Sequence, residues 1–314
     1  MLKGDSYMVI AIAVHGGAGR WNVPEDIKKK AMDVLREAVD VGYDVLARGG
    51  SAIDAVVEAI TVLEDSGIFN AGTGSVLNVL GFIEMDAGLC TSDGRVGAVC
   101  CVKYPKNPIR LARIVMEMTD HVLVCGEGAD RLARAVGLEP HPGPTDFIKR
   151  RFEELKSHIN AIPYWKKLRN VLPLLERGDT VGAVAIDNNG LLAAAASTGG
   201  VWLKLPGRVG DSPIYGAGFY ASTNCAACAT GLGETIVKSM ACSNIVKLVD
   251  SGIELEEACR LVISKHSEIF GKGTIGILAM DRSGKAIAMH NTELMPYAWK
   301  QGEKLVVSLH GVKI

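Results

Sequence analysis

Four short stretches carry side chains that could do chemistry. Pro206-Gly207-Arg208-Val209-Gly210-Asp211-Ser212-Pro213-Ile214 puts opposite charges three residues apart in a glycine-rich loop. Such a pair suits an amino-acid ligand, with Arg208 taking its carboxylate and Asp211 its ammonium. The plainer alternative is that the two simply pair with each other at the surface. Thr230-Gly231-Leu232-Gly233-Glu234 opens a helical pattern over Ile236–Leu248. Backbone N–H groups at a glycine-rich helix start can hold a developing oxyanion. Glu84 and Asp86 place two carboxylates on one face of a strand, the spacing of an acid/base pair; they are read as structural. Cys225-x-x-Cys228 has no second pair at zinc spacing, so metal or redox use is not expected, and a local disulfide stays open.

Behind these stretches lies a sharp boundary at Thr180. A polar, proline- and charge-rich segment ends at Gly178-Asp179, and a run of small and β-branched residues begins (TVGAVAI). It turns at Asn188-Asn189-Gly190 and returns as LLAAAAS, a hairpin pattern. Taken alone, Thr180 is a β-branched residue opening a strand. Upstream, Met8–Val14 reads as a buried strand ending in His15-Gly16-Gly17-Ala18-Gly19, which lacks the spacing of a nucleotide-binding turn. Pro24-Glu25-Asp26 starts one helix, and Ser51 with Asp54 caps a second that runs to about Leu63. Leu63–Val76 is a glycine-punctuated loop. Ile83–Ala87 and Val96–Val102 form a hairpin, a helix opens at Asn107-Pro108, and a strand over His121–Cys125 precedes a helix over Ala129–Val136. Residues 138–177 read as a linker, rich in proline and charge. A helix over Glu254–Ser267 and a hairpin over Thr274–His290 complete the pattern, and periodicity alone gives one domain of α+β or α/β class.

Composition narrows the function classes. Thirty-four basic against thirty-five acidic residues give a net charge of −1, with no basic stripe to engage nucleic acid. The apolar run Met8–Val14 is too short to span a bilayer, and the sequence after it makes no convincing signal-peptide cleavage site. A soluble cytoplasmic protein is expected. The eight cysteines sit mostly in apolar runs, as small buried hydrophobes do.

Gly178-Asp179-Thr180-Val181-Gly182-Ala183-Val184, with Ser197-Thr198-Gly199-Gly200, resembles the cleavage and nucleophile segment of the plant-type asparaginase and isoaspartyl peptidase family. These are N-terminal-nucleophile hydrolases. His15–Gly19, Phe69-Asn70-Ala71-Gly72-Thr73-Gly74-Ser75 and Gly207–Ile214 look like further family segments, and the likeness runs from about Val9 to Val307. The resemblance implies an α+β fold, a four-layer αββα sandwich. It also implies a single domain, 1–314, that cuts itself between Asp179 and Thr180 into an α chain (1–179, ending in a linker from about 138) and a β chain (180–314), assembled as (αβ)2.

The same resemblance implies that Thr180 is nucleophile and base, that Thr198 orients it, and that Thr230 and Gly231 stabilise the oxyanion. Arg208, Asp211, Asn70, Gly231 and Gly233 would bind substrate, either L-asparagine or a β-aspartyl dipeptide. No organic cofactor is implied. A structural sodium would be held by the main-chain carbonyls of Leu63, Glu64, Ser66, Phe69, Ala71 and Thr73, as suits a hard cation. Two alternatives remain at this level. The Asp179-Thr180 junction is similar to that of glycosylasparaginase, and a silent relative could merely bind an amino acid through Arg208 and Asp211.

Overall fold

The computed structural model describes residues 9–157 and 180–314. The first segment contains β1 (Ala11–His15), α1 (Glu25–Ala47), α2 (Ala52–Asp65), β2 (Met85–Thr91), β3 (Val96–Val102), α3 (Pro108–Met118), β4 (Leu123–Cys125), α4 (Gly126–Ala135) and α5 (Asp146–Ser157). The second opens with β5 (Thr180–Ile186), β6 (Leu192–Thr198), β7 (Phe219–Ala221) and β8 (Cys225–Gly231). Then come α6 (Gly233–Ser239), α7 (Ala241–Asp250), α8 (Leu255–Phe270), β9 (Ile275–Asp281) and β10 (Ala286–His290). The chain closes with β11 (Tyr297–Gln301), β12 (Lys304–Ser308) and β13 (Val312–Lys313).

The strands form two sheets, eight in the order β12-β11-β1-β5-β6-β2-β3-β4 and five in the order β13-β10-β9-β8-β7. Strand alternation sorts the side chains. On β5, Val181, Ala183 and Ala185 join α1, α2 and α3 in one apolar core, while Val184 and Ile186 join Ala226, Cys228, Leu278 and Met280 from the smaller sheet in another. A third core packs Ala227, Ala229, Ile275 and Ile277 against α7 and α8. The result is a mixed α/β architecture with helices on the outer face of each sheet.

Local chemistry explains how the elements stop and join. Ser51 and Asp54 form a reciprocal capping box on α2. In the β5–β6 turn, the Asp187 carboxylate accepts from Asn189 N and Leu191 N and from Ala52 N at the head of α2, tying hairpin to helix.

Three expectations are corrected. The segment read as a linker contains α5, whose Ile148, Phe152 and Leu155 bury against Val76, Leu77, Trp202 and Leu203; the charged run RRFEELK hides an amphipathic spacing. The single helix expected over Ile236–Leu248 is two, broken at Met240 in the left-handed region (φ 47°), where Ser243 N–H turns to Gly216 O at 2.8 Å. The disulfide left open between Cys225 and Cys228 does not form. They lie three residues apart on one strand and face opposite sides, Cys228 between the sheets and Cys225 toward the helices, and both thiols are free.

Candidate active site

Register places the threonines. Thr180 pairs with Thr198 across β5–β6, and Thr198 pairs in turn with Asp86 on β2. Directly opposed residues on antiparallel strands bring their Cβ atoms to about 4.5–5.5 Å. Thr180, Thr198 and Asp86 share the face that carries Val184, Ala194 and Cys90, which looks toward the smaller sheet. From that sheet Thr230 reaches back: its Oγ1 donates to Thr180 O at 3.4 Å and accepts from Ala18 N at 3.3 Å. The three threonines expected from the sequence thus converge at one end of the two sheets, all buried. Thr180 Oγ1 also lies 3.3 Å from Ser212 Oγ. Asp179 lies outside the described residues, so the cleavage junction itself has no described geometry.

Gly231 ends β8 opposite Ile275 with φ +133°, and a Cβ there would lie 2.4 Å from Thr274 O. Only glycine fits, which leaves the backbone bare beside Thr230. Thr198 Oγ1 accepts from Gly200 N at 3.0 Å, fixing the turn that follows β6. Asn70 secures the same turn from the 63–76 loop. Its Nδ2 donates to Gly200 O at 2.5 Å, its carbonyl accepts from Gly199 N at 2.9 Å, and its Oδ1 accepts from Val76 N at 3.0 Å.

The charged rim departs from the plain expectation that Arg208 and Asp211 pair. Arg208 Nε and Nη2 instead form a two-point fork with Glu234 Oε1 and Oε2, each at 2.9 Å. Burial opposes the Arg208 charge, but the fork outweighs it and holds the guanidinium above its ordinary value, while Glu234 is held below its own. Gly233 permits this approach, since a Cβ there would stand 2.9 Å from Arg208 Nη2. Asp211 is fully buried and its Oδ2 has no hydrogen-bond partner. Desolvation pushes its carboxyl up to about 7, with the Arg208 charge only partly opposing.

The likeness to known proteins extends along almost the whole chain. A profile of the family described as asparaginase matches residues 8–308. The plant-type L-asparaginase of Pyrococcus horikoshii is 45% identical over 297 residues, covering 93% of this chain and 96% of that protein. The isoaspartyl peptidase/L-asparaginase of Bos taurus is 40% identical over 94% of both chains. The isoaspartyl peptidase of Escherichia coli is 40% identical over 92% of both. The chain belongs to the asparaginase family.

Some polar groups around this asparaginase-family site were not singled out from the sequence. Lys204 is fully buried, its Nζ donating to Glu84 O at 2.7 Å, and desolvation lowers its pKa although Asp86 pulls the other way. Asp86, read as structural, stands in the threonine row with Oδ2 unpartnered, and burial raises its pKa against the opposing Lys204 charge. Glu84, also read as structural, accepts from Gly207 N at 3.0 Å. A lone lysine inside the apolar Val201–Leu205 run was the available signal for Lys204. Ser212 sat in plain view within the glycine-rich 206–214 loop without an assigned role.

Proposed function

We propose that the protein is a self-cleaving threonine hydrolase that converts L-asparagine to L-aspartate and ammonia and hydrolyses β-aspartyl dipeptides. The observation that carries this reading is the convergence of Thr180, Thr198 and Thr230, with Thr180 opening a buried strand directly after the polar junction. In the precursor the Thr180 hydroxyl attacks the Asp179 carbonyl, an ester forms by N-to-O acyl shift, and water hydrolyses it. The freed α-amine, with a reference pKa of about 7.7–8.0, then accepts the hydroxyl proton without a histidine. Thr180 Oγ1 attacks the side-chain carbonyl of the substrate while the Thr230 hydroxyl and Gly231 N–H hold the oxyanion. Loss of one such donor costs about 3–4 kcal/mol in comparable sites.

The C–N bond breaks, the amine leaves with the proton held by the α-amine, and water releases aspartate from the ester. Arg208 retains Nη1 for the substrate carboxylate because the Glu234 fork uses Nε and Nη2. Asp211 offers its unpartnered oxygen to the ammonium. The family's four-layer αββα sandwich suits the three stacked cores, and assembly as (αβ)2 belongs to the same reading. Purified protein incubated with L-asparagine and with a β-aspartyl dipeptide should release aspartate from both; failure on both refutes the reading.

A structural sodium fits the 63–76 loop. Gly72 and Gly74 let the backbone close tightly, since Cβ atoms there would stand 2.7 Å from Glu64 O and 2.1 Å from Phe69 O. Thr73 Oγ1 is buried there without a hydrogen-bond partner. The carbonyls of Leu63, Glu64, Ser66, Phe69, Ala71 and Thr73 would hold the ion, whose contribution is to stiffen the loop that carries Asn70.

A further inference from the structure

A second charged feature lies on the far side of Thr180 from Arg208. Arg20, Lys272, Glu293 and Lys313 line a cavity of about 340 Å³, together with Gly19 and Gly273. Arg20 is taken up by Glu293 at 3.7 Å, and neither lysine has an ion-pair partner among the described residues. The lining side chains, three basic against one acidic, therefore carry a net positive charge.

Register fixes where it stands. His15 pairs with Gly182, so the loop bearing Gly19 leaves β1 at the Thr180 end of β5. Gly231 pairs with Ile275, Gly276 with His290, and His290 with Lys313, which brings Lys272, Gly273 and Lys313 to that same end. Chain neighbours of the lining residues Gly19 and Gly273 touch the oxyanion residues. Ala18 N bonds Thr230 Oγ1, and Thr274 O both accepts from Leu232 N at 2.9 Å and crowds Gly231.

In the larger sheet β1 lies on one flank of β5, with β6 and β2 on the other; in the smaller, β9, β10 and β13 lie on one flank of β8 and β7 on the other. The Arg208–Asp211 loop packs on the β2 and β7 flank, where Ser212 O abuts Gly88 and Asp211 O abuts Gly218. The cavity occupies the opposite flank. Strands lie about 4.8 Å apart, so β9 and β10 are about 5–10 Å from Thr230, the reach of one amino-acid residue.

We propose that this cavity is the leaving-group subsite for β-aspartyl peptides, with Lys272 and Lys313 receiving the α-carboxylate of the amino acid that is released. The assignment rests on the hydrolase reading above. A substrate whose aspartyl part is held at Arg208 and Asp211 and whose scissile carbonyl lies at Thr180 and Thr230 must extend its other half toward the cavity. Asparagine, which releases only ammonia, places nothing there.

The test compares β-aspartyl-alanine with β-aspartyl-alanine amide, which lacks the carboxylate, in the wild type and in a Lys272→Ala/Lys313→Ala double variant. Both lysines are exposed, so a modest effect is expected. The wild type should favour the free acid by about tenfold in kcat/KM and the double variant by about one, with the amide's own rate nearly unchanged. A preference that persists in the double variant, or no preference in the wild type, overturns the subsite. Hydrolysis of asparagine with no hydrolysis of either peptide overturns the subsite alone. Wild-type protein inert toward all three substrates overturns the hydrolase reading itself.

Discussion

The threonine floor and the charged rim belong to one site but are held in place by different physics. Thr180, Thr198 and Thr230 sit on strands whose register is set by apolar alternation over whole sheets, so a one-residue slip would turn every core side chain outward. Arg208, Asp211 and Glu234 sit on a loop and a short helix, positioned by a two-point ion pair and by desolvation. The comparison teaches a division of labour. The floor is held by backbone register, whereas the rim is held by charges, among them an Asp211 carboxyl that desolvation pushes up to about 7.

Substitutions should separate the two. Thr180→Ala removes the proposed nucleophile and should abolish both chain cleavage and turnover, by at least about 10⁴-fold. Measurable turnover by a purified uncut Thr180→Ala protein would erase the floor's privileged role. On the rim, Arg208→Ala should leave self-cleavage intact and raise KM by roughly 10–100-fold. Glu234→Gln should move KM in the same direction but less, because the guanidinium stays while its fork loosens. If either change blocks self-cleavage, the two regions are not separable.

The rim's pH dependence follows from Asp211. Desolvation pushes its carboxyl up to about 7, and in the proposed role it must be ionised to take an ammonium, so kcat/KM should fall as pH drops through 7. The α-amine of the proposed freed Thr180, which must be neutral to act as base, has a reference pKa of about 7.7–8.0. With both groups at work, log kcat/KM should approach a slope of two in acid. Asp211→Asn should lower activity and reduce that slope to one; an unchanged slope would remove Asp211 from ligand binding.

The smallest effect concerns the floor's support. His15 is fully buried beside Gly182, and burial lowers its pKa from 6.5 to about 3, so it is neutral when folded. A depressed folded pKa means that its contribution is fully present above 6.5 and is lost as pH falls toward about 3. His15→Gln should flatten that part of the melting temperature's acid decline; an equally steep decline would show that His15 does not govern it.

Much of this was legible in the sequence, for a physical reason. The floor residues lie in long alternating or small-residue runs, and Thr180, Thr198 and Thr230 stood in segments whose resemblance to a known family was specific. Ser51 and Asp54 announced the head of α2 in the same way. What escaped was non-local. Nothing near Arg208 in sequence says that Glu234, 26 residues on, would claim two of its nitrogens. Nor does Lys204 reveal that its charge is enclosed beside Glu84 and Asp86, because burial of a lysine depends on elements 120 residues away. The helix α5 was hidden because four of its residues are basic and its apolar face is only three side chains wide.

The claim on which the rest depends is that Thr180 becomes a chain terminus. The purified protein should be run on a denaturing gel and its bands measured by intact mass. The account predicts two fragments, 33.3 kDa × 179/314 ≈ 19 kDa and 33.3 kDa × 135/314 ≈ 14 kDa, with the smaller beginning at Thr180. A single 33.3 kDa chain that nonetheless hydrolyses asparagine would contradict it.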